Sequence, residues 1–175
     1  MTLLTAHTTP PTETVIAVGI AQFAISRDPA MVLSAYGLGS CVAIAAWVAQ
    51  SHVAGLMHVL LPEPPANSTA DNPARFATTG VPLLLRELEA AGAMRSRLRL
   101  AAAGGAQMLG SLAKVGALGS IGARNAELVV NTLRATGLSL VATDFGGTSG
   151  RTLTLVVATG QMTVRLAGST PRDLA

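Results

Sequence analysis

The apolar residues of this chain arrive in short runs, each cut off by glycine, proline or a polar pair. That spacing limits the fold more than any other feature. Val15 to Gly19, Met31 to Tyr36, Val42 to Val48 and Val53 to Leu61 are rich in Val, Ile and Leu. Their length and branching predict strands. No run approaches the ~20 apolar residues of a membrane span, so membrane insertion is not expected. Pro62, Pro64 and Pro65 close the series and open the polar stretch EPPANSTADNPAR, a loop of a length that is often functional.

Helix signals follow. Thr79 is a candidate cap, Pro82 suits a first turn, and Leu83, Leu84, Leu85, Leu88 and Ala91 make one apolar face before Gly92. Arg97 to Ala103 reads as a strand ending at Gly104-Gly105. A second helix is expected with Asn125 as cap, Glu127 in the first turn and Gly137 as stop. Leu138 to Thr143 is a further strand, and Arg151 to Ala158 with Met162 to Leu166 reads as a hairpin about Thr159-Gly160-Gln161. Many strands with two to three helices predict the α+β class, a layered α/β sandwich with mixed, largely antiparallel sheets. One domain is expected over residues 15–167. Residues 1–14, rich in Thr and carrying Pro10 and Pro11, read as a flexible lead-in, and 168–175 as a frayed tail.

The charge pattern argues against nucleic acid. The net charge is +3, but the basic residues are scattered, and only Arg95, Arg97 and Arg99 cluster. Three alternating arginines on a strand share one face, as a solvated edge would. Nucleic-acid binders show a basic stripe interleaved with aromatics, and only 3% of this chain is aromatic. One cysteine excludes an internal disulfide framework and points to a reducing compartment. No basic region followed by an apolar core marks a secretory signal. The expected location is the cytoplasm.

That cysteine, Cys41, lies in GLGSCVAIAAW. A lone cysteine is commonly a small buried hydrophobe. Here Gly37 and Gly39 let the chain turn sharply just before the thiol. Backbone N–H groups in the Gly39–Ser40–Cys41 turn can converge as an oxyanion site. Of three histidines, His7 lies in the lead-in and His52 in a polar turn. His58 sits within GLMHVLLP, where a buried imidazole needs a partner. Cys41 and His58 lie on neighbouring predicted strands 17 residues apart, and a hairpin would pair them as thiol and base. GLGSCV lacks the third glycine of a dinucleotide fingerprint. It is not a G-x-S-x-G elbow, and Cys41, His52 and His58 lack metal-ligand spacing.

The blocks GLGSCVAI (37–44), GLMHVLLP (55–62), AAGGAQM (102–108), IGARN (121–125) and DFGGTSGR (144–151) occur in an order and spacing that resembles CheD, the chemoreceptor glutamine deamidases of chemotaxis. The resemblance covers roughly residues 15 to 167. It implies a layered sandwich and a protein-glutamine glutaminase activity without metal or organic cofactor. Cys41 would attack the side-chain amide of receptor glutamines, His58 would act as general base, and a thioester would be hydrolysed to glutamate. It also implies methyl-accepting chemoreceptors as substrates and a CheC-type phosphatase as a possible partner.

The family's third catalytic residue, a threonine six positions before the cysteine, is Ala35 here, and a family glutamate is replaced by Gln22. Ser34 is a possible substitute for orienting His58, although strand neighbours point to opposite faces. Ser40 is another possible donor. Phe76 in the proline-rich loop and the Gly146-Gly147 turn are candidate specificity elements. Gly104, Gly105, Gly122, Arg124, Asn125 and Arg151 read as turn and cap residues. The missing threonine leaves an alternative open: a binding module that regulates the phosphatase or receptors without useful catalysis.

Overall fold

The computed structural model describes residues 13–66, 71–107 and 121–175. Among the described residues it has ten strands and two α-helices. One sheet contains β1 (Thr14–Ala17), β3 (Met31–Leu38), β8 (Arg151–Val156), β9 (Met162–Leu166) and β10 (Arg172–Asp173), in the order β1-β3-β8-β9-β10. The other contains β2 (Gln22–Ser26), β4 (Val42–Val48), β5 (Val53–Val59), β6 (Arg99–Gly104) and β7 (Ala142–Phe145), in the order β2-β5-β4-β6-β7. The β1–β3 and β6–β7 pairs are parallel and the others antiparallel. The expected α+β sandwich with mixed, largely antiparallel sheets is the fold observed.

Three layers result. The helices α1 (Ala77–Ala90) and α2 (Ile121–Ala135) cover one face of the second sheet, through Val42, Ile44, Met57 and Leu100 against Leu84, Leu88, Val129 and Leu133. The other face of that sheet meets the first sheet. Alternation along each strand divides the residues between the two cores. Ala43, Ala45, Ala54, Ala101 and Ala103 face Leu33, Leu38, Leu153, Leu155 and Met162. One sheet thus offers small side chains and the other large ones, which is how a chain poor in aromatics fills the space between two sheets.

Several local expectations change. β2 is not among the expected strands, because its apolar pattern is short and none of its residues is fully buried. It is a partly exposed edge strand paired with β5. Arg95–Arg97 is a 3-10 turn, so the three arginines do not share a strand face. Arg95 instead pairs with Glu89, and Arg99 lies over the Trp47 ring. Thr79 is not a cap, because α1 starts earlier: Ala77 and Thr78 donate their N–H groups to Leu61 O and Pro62 O. Pro82 therefore lies inside α1. Asn125 is inside α2 and Glu127 is beyond its first turn. Gly137 does end α2, with φ +78°. The strand expected over Leu138 to Thr143 begins later, because Leu138 and Leu140 pack onto the helical core first.

The expected lead-in lies outside the described residues apart from its last two, and Thr14 already pairs in β1. Residues 168–175, read as a frayed tail, contain β10, paired with β9, and Met162 N donates to Ala175 O.

The chain passes between the sheets at one end of the sandwich more than once. β1 leads to β2 through Val18–Ala21, and β3 leads to β4 through Gly39–Cys41. The first of these crossovers bonds directly to His58, through Val18 O and Ala21 N.

Candidate active site

His58 lies on β5, opposite Ala43 of β4 and Gln22 of β2. Cys41 is two residues before Ala43, so both side chains belong to the face turned toward the first sheet. Cys41 is 7% exposed and His58 2%. The hairpin expected from their spacing exists and sets them diagonally on one face, with no hydrogen bond joining them.

The β1–β2 crossover holds His58 twice. The ring Nδ1 lies 3.2 Å from Val18 O, and Ala21 N donates to His58 O at 2.8 Å. A carbonyl only accepts, so Nδ1 carries the proton. A neutral ring then leaves Nε2 as an unprotonated acceptor, and Nε2 is buried without a partner among the described residues. Burial lowers the His58 pKa, opposed in part by the Val18 contact. The same cause pushes the Cys41 thiol up, opposed in part by its own backbone N–H. The resting pair is therefore a thiol and a neutral imidazole.

Ala21 adopts φ 58°, a strained choice for a residue with a Cβ. Gln22 closes this turn by accepting from Gly19 N at 3.1 Å.

The turn before the thiol is fixed by its carbonyls. Gly39 O accepts from Ala106 N at 2.7 Å, and Cys41 O accepts from Gly105 N at 2.8 Å. Ser40 O accepts from Asn125 Nδ2 at 2.9 Å. Among the described residues, the N–H groups of Ser40 and Cys41 donate to no carbonyl outside the strand ladders. Of the two glycines expected to shape this turn, Gly37 has φ +65° and sits in the β3 bulge, while Gly39 does not adopt positive φ.

The remaining blocks buttress the turn. Gly104 has φ +128°, and a Cβ there would stand 2.1 Å from Cys41 O. Gly122 at the start of α2 packs on Gly105 so closely that a Cβ would meet its backbone at 2.6 Å. Gly146 N donates to Gly104 O, and Arg151 is buried against Asp144 and Gly146 O. An open groove of about 450 Å³ runs beside these loops, lined by Gly105, Gln107, Phe145, Gly146 and Gly147 among others.

Two sequence candidates, Ser34 and Phe76, fall elsewhere. Ser34 points away from His58: its hydroxyl lies 3.0 Å from Thr154 Oγ1, on the face opposite Ala35. Phe76 is buried as the residue that opens α1. His52 has φ 50° and meets the edge of Trp47. Val18 and Asn125 were missed as site residues. The first acts through a backbone carbonyl, which no side chain advertises. The second carried a signal, its place in IGARN, but was read as a cap. Among the described residues no group of three or more His, Cys, Asp or Glu is placed to hold a metal, and no helix is long and apolar enough to cross a membrane.

Comparison with known proteins places the chain in a family. Residues 60–166 match the family model described as CheD chemotactic sensory transduction, a span that begins two residues after His58. The chain is 38% identical over 154 residues to a probable chemoreceptor glutamine deamidase CheD of Desulforamulus reducens, covering 88% of this chain and 92% of the relative. It is 41% identical over 150 residues to the protein of the same name from Pyrococcus abyssi, covering 86% and 90%. A protein of that name from Desulfitobacterium hafniense is 40% identical over 151 residues, covering 86% and 92%. With half or more of its length matched by the family model and by these relatives, the chain belongs to the CheD family.

Proposed function

We propose that this protein is a chemoreceptor glutamine deamidase, with Cys41 as nucleophile and His58 as general base. The observation that carries the reading is the buried, unpartnered Nε2 of His58, on the same sheet face as Cys41, in a ring whose other nitrogen is committed to Val18 O. The names of the relatives supply the substrate class.

Nε2 takes the Sγ proton as sulfur attacks the glutamine side-chain carbon. The carbonyl oxygen becomes an oxyanion beside the N–H groups of Ser40 and Cys41. These N–H groups belong to the turn that carries the attacking sulfur, so they are the backbone donors adjacent to the carbon on which the oxyanion develops. The imidazolium then gives its proton to the departing nitrogen, ammonia leaves, and a thioester remains. A water, deprotonated by Nε2, attacks the thioester. The sulfur leaves and recovers its proton from the imidazolium, and glutamate is released. Carbonyl orientation by Val18 makes the absent threonine hydroxyl at Ala35 dispensable. Such chemistry acts on the cytoplasmic part of a receptor, and a CheC-type phosphatase is the partner to test beside it.

The test is peptide mass spectrometry of a receptor cytoplasmic fragment after incubation with wild type and with Cys41→Ala. A glutamine-to-glutamate mass change is expected with wild type alone. A second reading, the non-catalytic binding module, draws on Ala35 and on the raised thiol pKa. A folded wild-type protein that leaves suitable glutamines unchanged, yet binds receptor or phosphatase, would replace the first reading with the second.

A further inference from the structure

Asn125 is fully buried inside α2, a helix position with no local reason for a polar residue. Its Nδ2 donates two hydrogen bonds at 2.9 Å, to Ser40 O and to Leu60 O. Ser40 precedes the thiol by one residue, and Leu60 follows His58 by two. Both protons of one amide are thus spent on the backbone just before the nucleophile and just after the base. Two further carbonyls of the turn are held by the Gly104–Ala106 loop, whereas the Asn125 side chain joins the turn to the segment that follows the His58 strand, beside the β4–β5 pairing of Val42 with Val59. In a trans peptide the Ser40 C=O and the Cys41 N–H point opposite ways, so a Ser40 carbonyl held on α2 fixes the direction of the Cys41 N–H.

We propose that Asn125 is the positioning residue of the reaction, holding the oxyanion-binding turn and the His58 strand in one frame through its bridge from Ser40 O to Leu60 O. The inference rests on the deamidase reading above and names what keeps its parts in register. It predicts a loss specific to the tetrahedral state. The amide of a bound glutamine needs no aligned Cys41 N–H, whereas the oxyanion does.

The experiment compares wild type, Asn125→Ala, Asn125→Asp and Val129→Ala. Val129 is equally buried in α2 and lies on its helical core side, so its truncation reports loss of helix packing alone. Each folded variant is assayed for kcat and KM on a receptor fragment, per titratable Cys41. Each is also assayed for inhibition by a receptor peptide bearing an aldehyde in place of the glutamine amide. The aldehyde adds Sγ–H to form a hemithioacetal, which uses the same donors.

The expected result is a tenfold or greater loss of kcat and of aldehyde affinity in both Asn125 variants, with KM within about threefold. Val129→Ala should keep both parameters even at a comparable loss of Tm. An Asn125 variant that folds and keeps kcat and aldehyde affinity within twofold of wild type overturns the proposal. So does a Val129→Ala variant that loses both to the same degree.

If neither Asn125 variant folds, the wild-type protein decides by 15N NMR. The Asn125 Nδ2 protons must shift together with the Ser40 and Cys41 amides when the aldehyde is added, and side-chain protons that stay put overturn the bridge. Wild type that deamidates while the Asn125 variants do so equally well sinks this inference alone. Wild type that never deamidates, yet adds the aldehyde at Cys41, sinks the activity reading instead.

Discussion

His58 is held as a neutral ring by one carbonyl and by burial, and both facts can be tested by pH. Its folded pKa is lowered from the ordinary histidine value. Below that ordinary value of about 6.5 the unfolded chain binds a proton that the folded chain refuses. The contribution of His58 to stability is therefore full above about pH 6.5 and is lost as pH falls toward its lower folded pKa. The same titration removes the free Nε2, so deamidation should show an acid limb whose midpoint lies below about 6.5. His58→Gln should abolish the limb with the activity and flatten the stability slope over that range. Urea midpoints from pH 4.5 to 8 and a kcat/KM profile over the same range check both. An acid limb centred well above 6.5 would mean that another group is the base.

Among the elements, the strands read from sequence were those whose periodicity had no competitor. β4 spans Val42–Val48 as expected, since a run of small and branched apolar residues buried on both faces has no alternative partner. β2 was illegible because one of its sides meets solvent and its pattern is diluted. The thiol and the base were legible as residue types in a spacing. What joins them was not, because it is done by backbone: Val18 O, Ser40 O and the glycines of the 104–105 loop.

Gly104 shows how much that backbone matters. An alanine there would need a φ near +128° and would drive Cβ into Cys41 O. Gly137 has a comparable positive φ, +78°, with nothing within 4 Å. Gly137→Ala should then cost about 1 kcal/mol for its backbone angle alone. Gly104→Ala should cost at least ~3 kcal/mol, from strain plus a forced shift, and should lower kcat in whatever fraction folds. Equal urea midpoints for the two variants would show that the loop yields without cost.

At the scale of the whole molecule, the proposed reactive pair sits beside two crossings between the sheets, on the alanine face of the second sheet. That face does two jobs with one residue type. Away from the site it accepts the leucines of the first sheet. At the site, Ala43 lies in register between His58 and Ala103 and two residues from Cys41, so the row beside the pair is as small as side chains allow. Substituting leucine at one position of each kind separates the two jobs. Ala45 pairs with Leu56 and Ala101, and Ala45→Leu should overpack the inter-sheet core at a cost of roughly 1–3 kcal/mol. Its urea midpoint should fall with the m-value unchanged, while the folded fraction keeps its kcat. Ala43→Leu should lose similar stability and, in addition, at least ~90% of the deamidation rate per folded molecule, since its side chain would occupy the space between thiol and imidazole, where each tenfold in rate is only about 1.4 kcal/mol of barrier. Full activity in a folded Ala43→Leu variant would show that the glutamine approaches Cys41 from outside this row, through the groove beside Gly105 and Gly146.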